Sequence, residues 1–254
     1  RKRVSSFEFL LQSSLSQNID IILIQEPPVI TSYLSKWISD DLDFHIFGFN
    51  LYASSLHQAP RAIIVAKKNL TVHHLPDLCT RDVAAIKLHT SKRKFVLISS
   101  IYLPNPGTKT NANNMPSEVL HKIATSTIWK NAKIVMGGDL NSTSPLWSGG
   151  EKIGSNRINR KRGENLEEFL LENDLTVLNT PSHPPTYVGP DHSSYIDGTF
   201  CSDCLVPIVS DWKVWDNIEN FSDHQFISFD LNKSKKPAHR ESHDYDFSKL
   251  DKQG

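Results

Sequence analysis

The chain has 254 residues, 38% of them hydrophobic, which is enough for one large domain or two small ones with a substantial core. Its 28 basic residues balance its 28 acidic residues, which argues against a protein that binds polyanions through overall charge alone. There is no apolar run of roughly 18 residues, so no membrane span is expected, and three cysteines fit a reducing, intracellular compartment better than a disulfide framework.

The first predicted elements are a helix and a buried strand. Apolar residues recur at helical spacing and predict an amphipathic helix over residues 5–17. The apolar run over residues 19–24 predicts a core strand, and Glu26 follows it. A carboxylate at the end of a core strand is costly to bury unless it is paired or binds a metal. Glu26 is therefore either a metal-ligand candidate or an exposed side chain in a loop.

The next segment predicts a short helix over residues 33–40 and a core strand over residues 62–66. Residues 83–88 and 95–102 predict two further strands, and the short polar turn between them indicates an antiparallel pair. Tyr102 ends the second of these strands. Its hydroxyl either points into a cleft or caps the core, since tyrosine is common at half-buried positions.

The most informative stretch is the predicted strand that ends in Gly137-Gly138-Asp139-Leu140-Asn141, after a predicted helix over residues 116–129. The two glycines allow backbone conformations that a Cβ would forbid. Asp139 and Asn141 lie two residues apart, so on an extended strand end they share one face. The carboxylate can take a proton from water, and the amide can donate to developing negative charge. The alternative is an Asx turn after a core strand.

A long polar loop is predicted over residues 142–162, followed by a helix over residues 163–173 and a strand over residues 175–178. The loop carries a basic cluster, which indicates either a solvated loop or a nucleic-acid groove. Its members, which we predict to bind DNA, are Arg157, Arg160, Lys161 and Arg162.

The last third of the chain predicts several short strands. Residues 194–200 alternate like a strand, which would place Tyr195, Asp197 and Thr199 on one face. One or two strands are expected within residues 205–215, and Asp223-His224 precedes a further strand. From residue 232 the composition becomes basic and poor in apolar residues, so we predict a domain over residues 1–231 and a linker or tail over residues 232–254.

Acidic residues occupy four of the predicted strand ends: Glu26, Asp139, Asp197 and Asp223. Carboxylates that converge on one point repel one another without a cation, and a hard divalent ion with oxygen ligands, such as Mg²⁺, would relieve this repulsion. Carboxylates with a histidine, an asparagine and a tyrosine fit metal-assisted hydrolysis of a phosphoester. No G-x-S-x-G motif is present, so a serine triad is not supported.

The order of these motifs resembles the endonuclease/exonuclease/phosphatase superfamily, and within it the apurinic-endonuclease-like endonuclease domains of non-LTR (LINE-type) retrotransposons. The likeness rests on five motifs in order: Gln25-Glu26-Pro27, Tyr102-Leu103-Pro104, Gly138-Asp139-Leu140-Asn141, Ser194-Tyr195-Ile196-Asp197 and Ser222-Asp223-His224. Smaller details agree with it: Trp147-Ser148, Arg162-Gly163, Leu178-Asn179 and Pro185-Thr186-Tyr187.

The resemblance implies an α/β fold, a four-layer α/β/β/α sandwich of the DNase I-like type. It also implies a role for each matching residue. Glu26 would hold Mg²⁺ or Mn²⁺ with Asp223 near the metal, Asp139 would orient or deprotonate the attacking water, and Asp197 would pair with His224. Asn141, His224, Tyr102 and Thr186 would bind the scissile phosphate, with Thr186 supporting the same cleft.

One departure from the family pattern is visible. The family begins with a strand whose asparagine helps to hold the metal, and this sequence starts at Arg1, after the expected position of that strand. We therefore expect a fold that lacks its first strand.

The function that the resemblance implies is a Mg²⁺-dependent endonuclease that nicks target DNA for retrotransposition. It would act inside the cell, in the nucleus, as a monomeric domain with no membrane association and with a reverse transcriptase in the same parent polypeptide. The alternatives are an abasic-site nuclease or phosphatase of the same fold, and a catalytically decayed retroelement remnant.

Overall fold

Two β-sheets face each other in the computed structural model, which describes residues 4–27, 49–54, 60–91, 94–105, 115–150, 157–218 and 221–232. Within these residues, helices α1 to α4 span Val4–Ser16, Pro116–Ala124, Thr127–Asn131 and Arg157–Glu172. Strands β1 to β13 span Ile21–Gln25, Phe49–Tyr52, Ala62–Lys67, Val72–His74, Val83–Ser91, Lys94–Tyr102, Lys133–Asp139, Leu175–Val177, Tyr187–Val188, Ser193–Ser194, Asp197–Ser202, Val209–Trp215 and Phe226–Leu231. Short 3-10 helices lie at Pro76–Leu78 and Asp203–Ile208.

The larger sheet has the strand order β4-β5-β6-β7-β11-β8, and the smaller sheet has the order β1-β3-β2. Strands β6 and β7 are parallel, and the other paired strands run antiparallel. A parallel pair needs a crossover connection, which here contains α2 and α3. Two small antiparallel pairs, β9–β10 and β12–β13, complete the described strands.

The apolar residues form one core between the sheets and one outside each sheet, which confirms the predicted α/β/β/α sandwich. Helix α1 packs Phe7 and Leu11 on the smaller sheet. Helices α2 to α4 cover the outer face of the larger sheet. In β7, Ile134 and Met136 join that outer core while Val135 faces the core between the sheets. Because both faces of β7 are buried, its side chains are apolar on both faces and its sequence is a continuous apolar run.

Three predicted elements have different bounds in the structure. The helix predicted over residues 116–129 is two helices, because the Ser126 hydroxyl accepts a hydrogen bond from Trp129 N–H and caps a new helix. The helix predicted to open at residue 163 begins at Arg157 instead. The strand predicted over residues 194–200 joins the larger sheet only from Asp197, so Tyr195 does not share its face.

Two other predictions fall outside the described residues, namely the helix over residues 33–40 and almost all of the tail over residues 232–254. The last described strand ends at Leu231. The boundary between domain and tail stays a prediction. None of the helices in the described part of the chain is long and apolar enough to cross a membrane.

Candidate active site

Strand register places three of the predicted site residues in one row at one edge of the larger sheet. Tyr102 at the end of β6 pairs with Asp139 at the end of β7. Asp139 in turn pairs with Asp197 at the start of the antiparallel β11. Neighbouring strands lie about 4.8 Å apart, so the row brings a phenol and two carboxylates together from positions almost 100 residues apart.

Gly138 allows the close packing behind this row. Its φ is +155°, and a Cβ there would lie 1.9 Å from the backbone oxygen of Ile101 and 2.9 Å from Gln25 Nε2. Any side chain would therefore push β7 away from β6 or from the smaller sheet. The sequence correctly predicts a glycine-dependent backbone at this point.

Asp139 is buried, and both of its carboxylate oxygens accept hydrogen bonds from Asn141. The Asn141 N–H donates to Oδ1 at 2.9 Å, and the side-chain amide donates to Oδ2 at 3.0 Å. The amide also donates to Leu103 O at 3.0 Å, and Asn141 adopts φ +41°. Burial raises the pKa of Asp139 to about 7; the negative charge of Asp197 adds to this rise, while His224 and the Asn141 N–H oppose it.

His224 joins the two carboxylates. Its Nδ1–H donates to Asp197, with both carboxylate oxygens 3.0 Å away, and its Nε2 lies 3.9 Å from Asp139 Oδ2. Burial alone would lower the pKa of His224. The charge and hydrogen bond of Asp197 outweigh this effect, and together with the charges of Asp139 and Asp223 they raise the pKa to about 9. The imidazole is therefore a cation at neutral pH, and its Nε2 is directed towards Asp139.

Thr186 lies beneath this pair and has no exposed surface. Its hydroxyl accepts hydrogen bonds from the N–H groups of Ile196 and Asp197, at 3.2 and 3.1 Å. The structure thus places Thr186 where it holds the backbone of Asp197. The sequence-based prediction of a phosphate contact needs correction, because a fully buried hydroxyl does not reach a substrate.

Asn179 is a site residue to which sequence reasoning assigned no role. Its amide donates to the carbonyl oxygens of Trp147 and Asp197, both at 3.1 Å, and its Oδ1 accepts from Thr199 N–H. It therefore fixes the start of β11 together with Thr186. The sequence feature that could have identified Asn179 is the Leu178-Asn179 pair, which we used only as a detail of the family resemblance.

Glu26 and Tyr102 meet across the two sheets. The Tyr102 hydroxyl and the Glu26 carboxylate share a hydrogen bond. Burial raises the pKa of Tyr102 far above its usual range, and the charges of Glu26 and Asp139 raise it further, so the phenol stays protonated and donates. Glu26 is exposed at the end of β1 with φ +47°.

Asp223, the second predicted metal neighbour, is exposed and precedes His224. Its backbone carbonyl accepts from Val188 N–H at 2.7 Å, and its charge helps to raise the pKa of His224. Among the described residues, no group of three or more histidine, cysteine, aspartate or glutamate side chains is arranged to hold a metal ion. Metal ligation by Glu26 and Asp223 stays a prediction.

The basic cluster lies on helix α4 and divides into two parts. Arg157, Arg160 and Lys161 are exposed, and Arg160 lies 3.6 Å from Glu164 one turn later. Arg162 is only 4% exposed, and its Nη2 donates to Pro104 O at 2.9 Å. The prediction that Arg162 binds DNA therefore needs correction. Helical periodicity turns this one member inward, while the other three face solvent.

The family model described as endonuclease-reverse transcriptase matches residues 96–228. A curated relative, the retrovirus-related Pol polyprotein from type-1 retrotransposable element R1 of Bradysia coprophila, is 40% identical over 101 residues. That match covers 38% of this chain and 10% of the polyprotein.

Two solved structures are similar in fold. The endonuclease domain of TRAS1, a telomere-specific non-LTR retrotransposon, has a TM-score of 0.69 and 22% identity, with 92% of this chain and 95% of that chain covered. The AP endonuclease LMAP from Leishmania major has a TM-score of 0.66 and 13% identity, with 92% and 83% covered.

Proposed function

Because the chain belongs to the endonuclease-reverse transcriptase family, we propose that it hydrolyses phosphodiester bonds in DNA as a metal-dependent endonuclease. The observation that carries the proposal is the row of Tyr102, Asp139 and Asp197, with His224 between the two carboxylates. This arrangement joins a group that accepts a proton to groups that stabilise negative charge.

Asp139 is the proposed base. Its pKa of about 7 lies near the pH at which the reaction would run, which is where a general base is most effective. Two hydrogen bonds from Asn141 fix the orientation of the carboxylate. In the proposed reaction a water attacks the phosphorus and its proton passes to Asp139. The bond to the 3′ oxygen breaks, and that oxygen takes a proton from a solvent water to become the 3′-hydroxyl, while the phosphate stays on the 5′ side of the nick.

His224 and Tyr102 are the proposed partners of the scissile phosphate. His224 carries a positive charge that Asp197 sustains, and its Nε2 is turned towards Asp139. The Tyr102 phenol keeps its proton, which bonds to Glu26 in this structure and would turn to the phosphate when Glu26 holds the ion. The Asn141 amide already donates to Asp139 and to Leu103 O, so in this proposal it orients the carboxylate and lines the same edge. Donors fixed before the substrate arrives stabilise the charge that develops on the phosphate in the transition state.

The donor set fits a hydrated magnesium or manganese ion at Glu26. Mg²⁺ is commonly held by one or two carboxylates and keeps several waters, so a cage of protein ligands is not required. Glu26 is exposed, and its charge acts on both Tyr102 and Asp139. Glu26 would hold the ion, with Asp223 as the second carboxylate. When bound, the ion would neutralise charge on the phosphate oxygens.

The exposed basic residues of α4 are the proposed contact to the DNA backbone. The first turn of this helix adjoins the site, because Thr143 N–H donates to Asn159 O just after Asn141 in the chain. Phosphates along the duplex would then reach Arg157, Arg160 and Lys161. Such contacts fix the position of the duplex without reading its sequence.

Alanine at Arg157, Arg160 and Lys161 together is expected to raise the KM for DNA about tenfold or more and leave kcat unchanged. Each lost phosphate contact should also lower the slope of log affinity against log salt concentration by about 1. Lys130→Ala, an exposed lysine on α3, is the matched control. Steady-state nicking at several salt concentrations measures both quantities, and an unchanged KM and salt slope would contradict the assignment.

The chain spans about a tenth of the curated polyprotein that it matches. We propose that it is the monomeric endonuclease part of a larger polypeptide that also carries a reverse transcriptase, and that the nick supplies the 3′-hydroxyl primer. Chromosomal DNA as the target would place its action in the nucleus.

Plasmid nicking tests the proposed function. The chain with 5 mM Mg²⁺ or Mn²⁺ is expected to convert supercoiled plasmid to the open-circular form, and EDTA is expected to stop the conversion. End-labelling of the product is expected to show a 3′-hydroxyl at the nick. Intact duplex, duplex with an abasic site and phosphoinositide are compared in the same buffer.

The outcomes separate the alternatives. Faster cleavage of intact duplex than of the other substrates supports the proposal. Turnover confined to abasic duplex would indicate a repair-type nuclease, and turnover confined to phosphoinositide a phosphatase. A cooperative thermal melt with no turnover of any substrate would indicate a fold whose chemistry has decayed.

A further inference from the structure

A buried ion pair connects the two sheets directly behind the site. Arg61 and Asp82 are 6% and 9% exposed, and they pair through two hydrogen bonds: Nε to Oδ1 at 2.5 Å and Nη2 to Oδ2 at 2.7 Å. Arg61 precedes β3 of the smaller sheet, and Asp82 precedes β5 of the larger sheet. The pair therefore spans the sandwich at the edge where the site lies.

Strand register places each member of the pair opposite a site residue. Gln25 pairs with Ala62, so the next residue, Glu26, lies opposite Arg61, and its N–H donates to Arg61 O at 2.8 Å. On the larger sheet Tyr102 lies opposite Asp82 in the same way, and its N–H donates to Asp82 O at 2.8 Å. Two site residues on different sheets are thus held by the two ends of one ion pair.

The guanidinium of Arg61 makes a further contact with the site. It lies over the Tyr102 ring, 5.1 Å from the ring centroid, which is within the range of a cation–π interaction. The arginine therefore contacts Tyr102 directly and holds Glu26 through the backbone. A planar guanidinium can make two hydrogen bonds to Asp82 and stack on the Tyr102 ring at the same time. The ammonium group of a lysine cannot do both, so lysine is not equivalent at this position.

We propose that Arg61 and Asp82 are positioning residues that set Glu26 and Tyr102 against Asp139, and that the pair controls turnover rather than DNA binding. This inference rests on the proposed function. Tyr102 and Asp139 share the larger sheet, whereas Glu26 belongs to the smaller one. A shift between the sheets would move Glu26 relative to Asp139, and a misplacement of about 1 Å costs on the order of 100-fold in rate.

Two variants and one control test the pair. Arg61→Lys keeps the positive charge but loses the planar guanidinium that makes two hydrogen bonds to Asp82. The double variant Arg61→Leu with Asp82→Leu removes both charges, a replacement that often leaves stability unchanged or raised. The control is Lys67→Gln. Lys67 pairs with Asp20 at 2.9 Å, next to the opposite ends of the same strands β1 and β3.

Three quantities are measured on each protein: kcat and KM for duplex nicking, the melting curve, and the ring resonance of Tyr102 in protein labelled with ¹³C-tyrosine. Tyr102→Phe serves to assign that resonance among the six tyrosines. We expect Arg61→Lys to melt cooperatively, to lower kcat about 10- to 100-fold with KM within about twofold, and to shift the Tyr102 resonance. Lys67→Gln is expected to change none of these.

The result that overturns the inference is a normal kcat and an unmoved Tyr102 resonance in both Arg61 variants. Loss of cooperative melting in both variants would also overturn it, because the pair would then serve overall stability. The Tyr102 ring resonance can be measured whether or not the chain cleaves DNA, so it tests this inference separately from the proposed function. If Tyr102 shifts in Arg61→Lys while the unmodified chain nicks no plasmid, the positioning role stands and the nuclease proposal fails.

Discussion

Replacing Asp139 with asparagine is expected to slow plasmid nicking about a thousandfold, the middle of the range for loss of a general base. The asparagine keeps the size of the side chain but takes no proton from water. The KM for DNA should stay within about twofold, because the basic face of α4 is untouched. Single-turnover nicking of a labelled duplex measures the chemical step directly.

The melting temperature of Asp139→Asn is expected to stay close to that of the unmodified protein. The folded-state pKa of Asp139, about 7, is above the unfolded value of 3.8, so this group lowers stability as the pH rises from 3.8 to about 7 and keeps that full cost at higher pH. Asparagine removes that cost. It also loses an acceptor for one of the two Asn141 hydrogen bonds, which costs roughly 1–3 kcal/mol and acts in the opposite direction.

Asp174→Asn is the matched control for this substitution. Asp174 is exposed, has φ +52°, which asparagine tolerates, and precedes β8 at the opposite edge of the same sheet. Its nicking rate should equal that of the unmodified chain. Nicking by Asp139→Asn at more than about a tenth of the unmodified rate would remove Asp139 as the base.

Replacing Asp197 with asparagine is expected to lower nicking at pH 8 by about 100-fold or more, because His224 loses the partner that keeps it charged. In the unmodified protein activity should rise with pH as Asp139 ionises near 7 and fall as His224 loses its proton near 9. Without Asp197, both limbs of the pH profile should move to lower pH. The charge of Asp197 raises both pKa values, so its removal lowers both.

The same substitution should change how stability depends on pH. His224 has a folded-state pKa above its unfolded value of 6.5, so its stabilising effect is fully present below pH 6.5 and is lost as the pH rises through about 9. The melting temperature of the unmodified protein should therefore fall across this window more than that of Asp197→Asn. Asp230→Asn, an exposed change on β13, is the control. If the two limbs of the pH–activity profile of Asp197→Asn stay where they are in the unmodified protein, the proposed pairing of Asp197 with His224 is contradicted.

Much of the framework follows from local sequence patterns. The apolar runs of β1, β3, β5, β6 and β7 predicted core strands, and the spacing of Phe7 and Leu11 predicted α1. Glycine before Asp139 predicted the backbone conformation that Gly138 adopts. These features are readable because each depends on residues near one another in the chain.

The direction of individual side chains was harder to predict. In the sequence nothing distinguishes Arg162 from the other three members of the basic cluster. In the structure α4 begins six residues before the predicted helix start, so the cluster lies on a helix, and Arg162 points inward to Pro104. Thr186 is predicted to bind the phosphate, whereas it lies buried and holds the backbone of Asp197. Both differences arise because burial depends on which element packs against the residue, and a single sequence does not contain that information.

The sequence alone determined the layered α/β class, the strand ends that carry acids, and the resemblance to retrotransposon endonucleases. Three features required the folded coordinates: Tyr102, Asp139 and Asp197 lie in one row, Glu26 meets them from the opposite sheet, and Arg61 and Asp82 join the two sheets behind them. The physical reason is that strand order and register are set by packing among distant segments, whereas the propensity to form each strand is local.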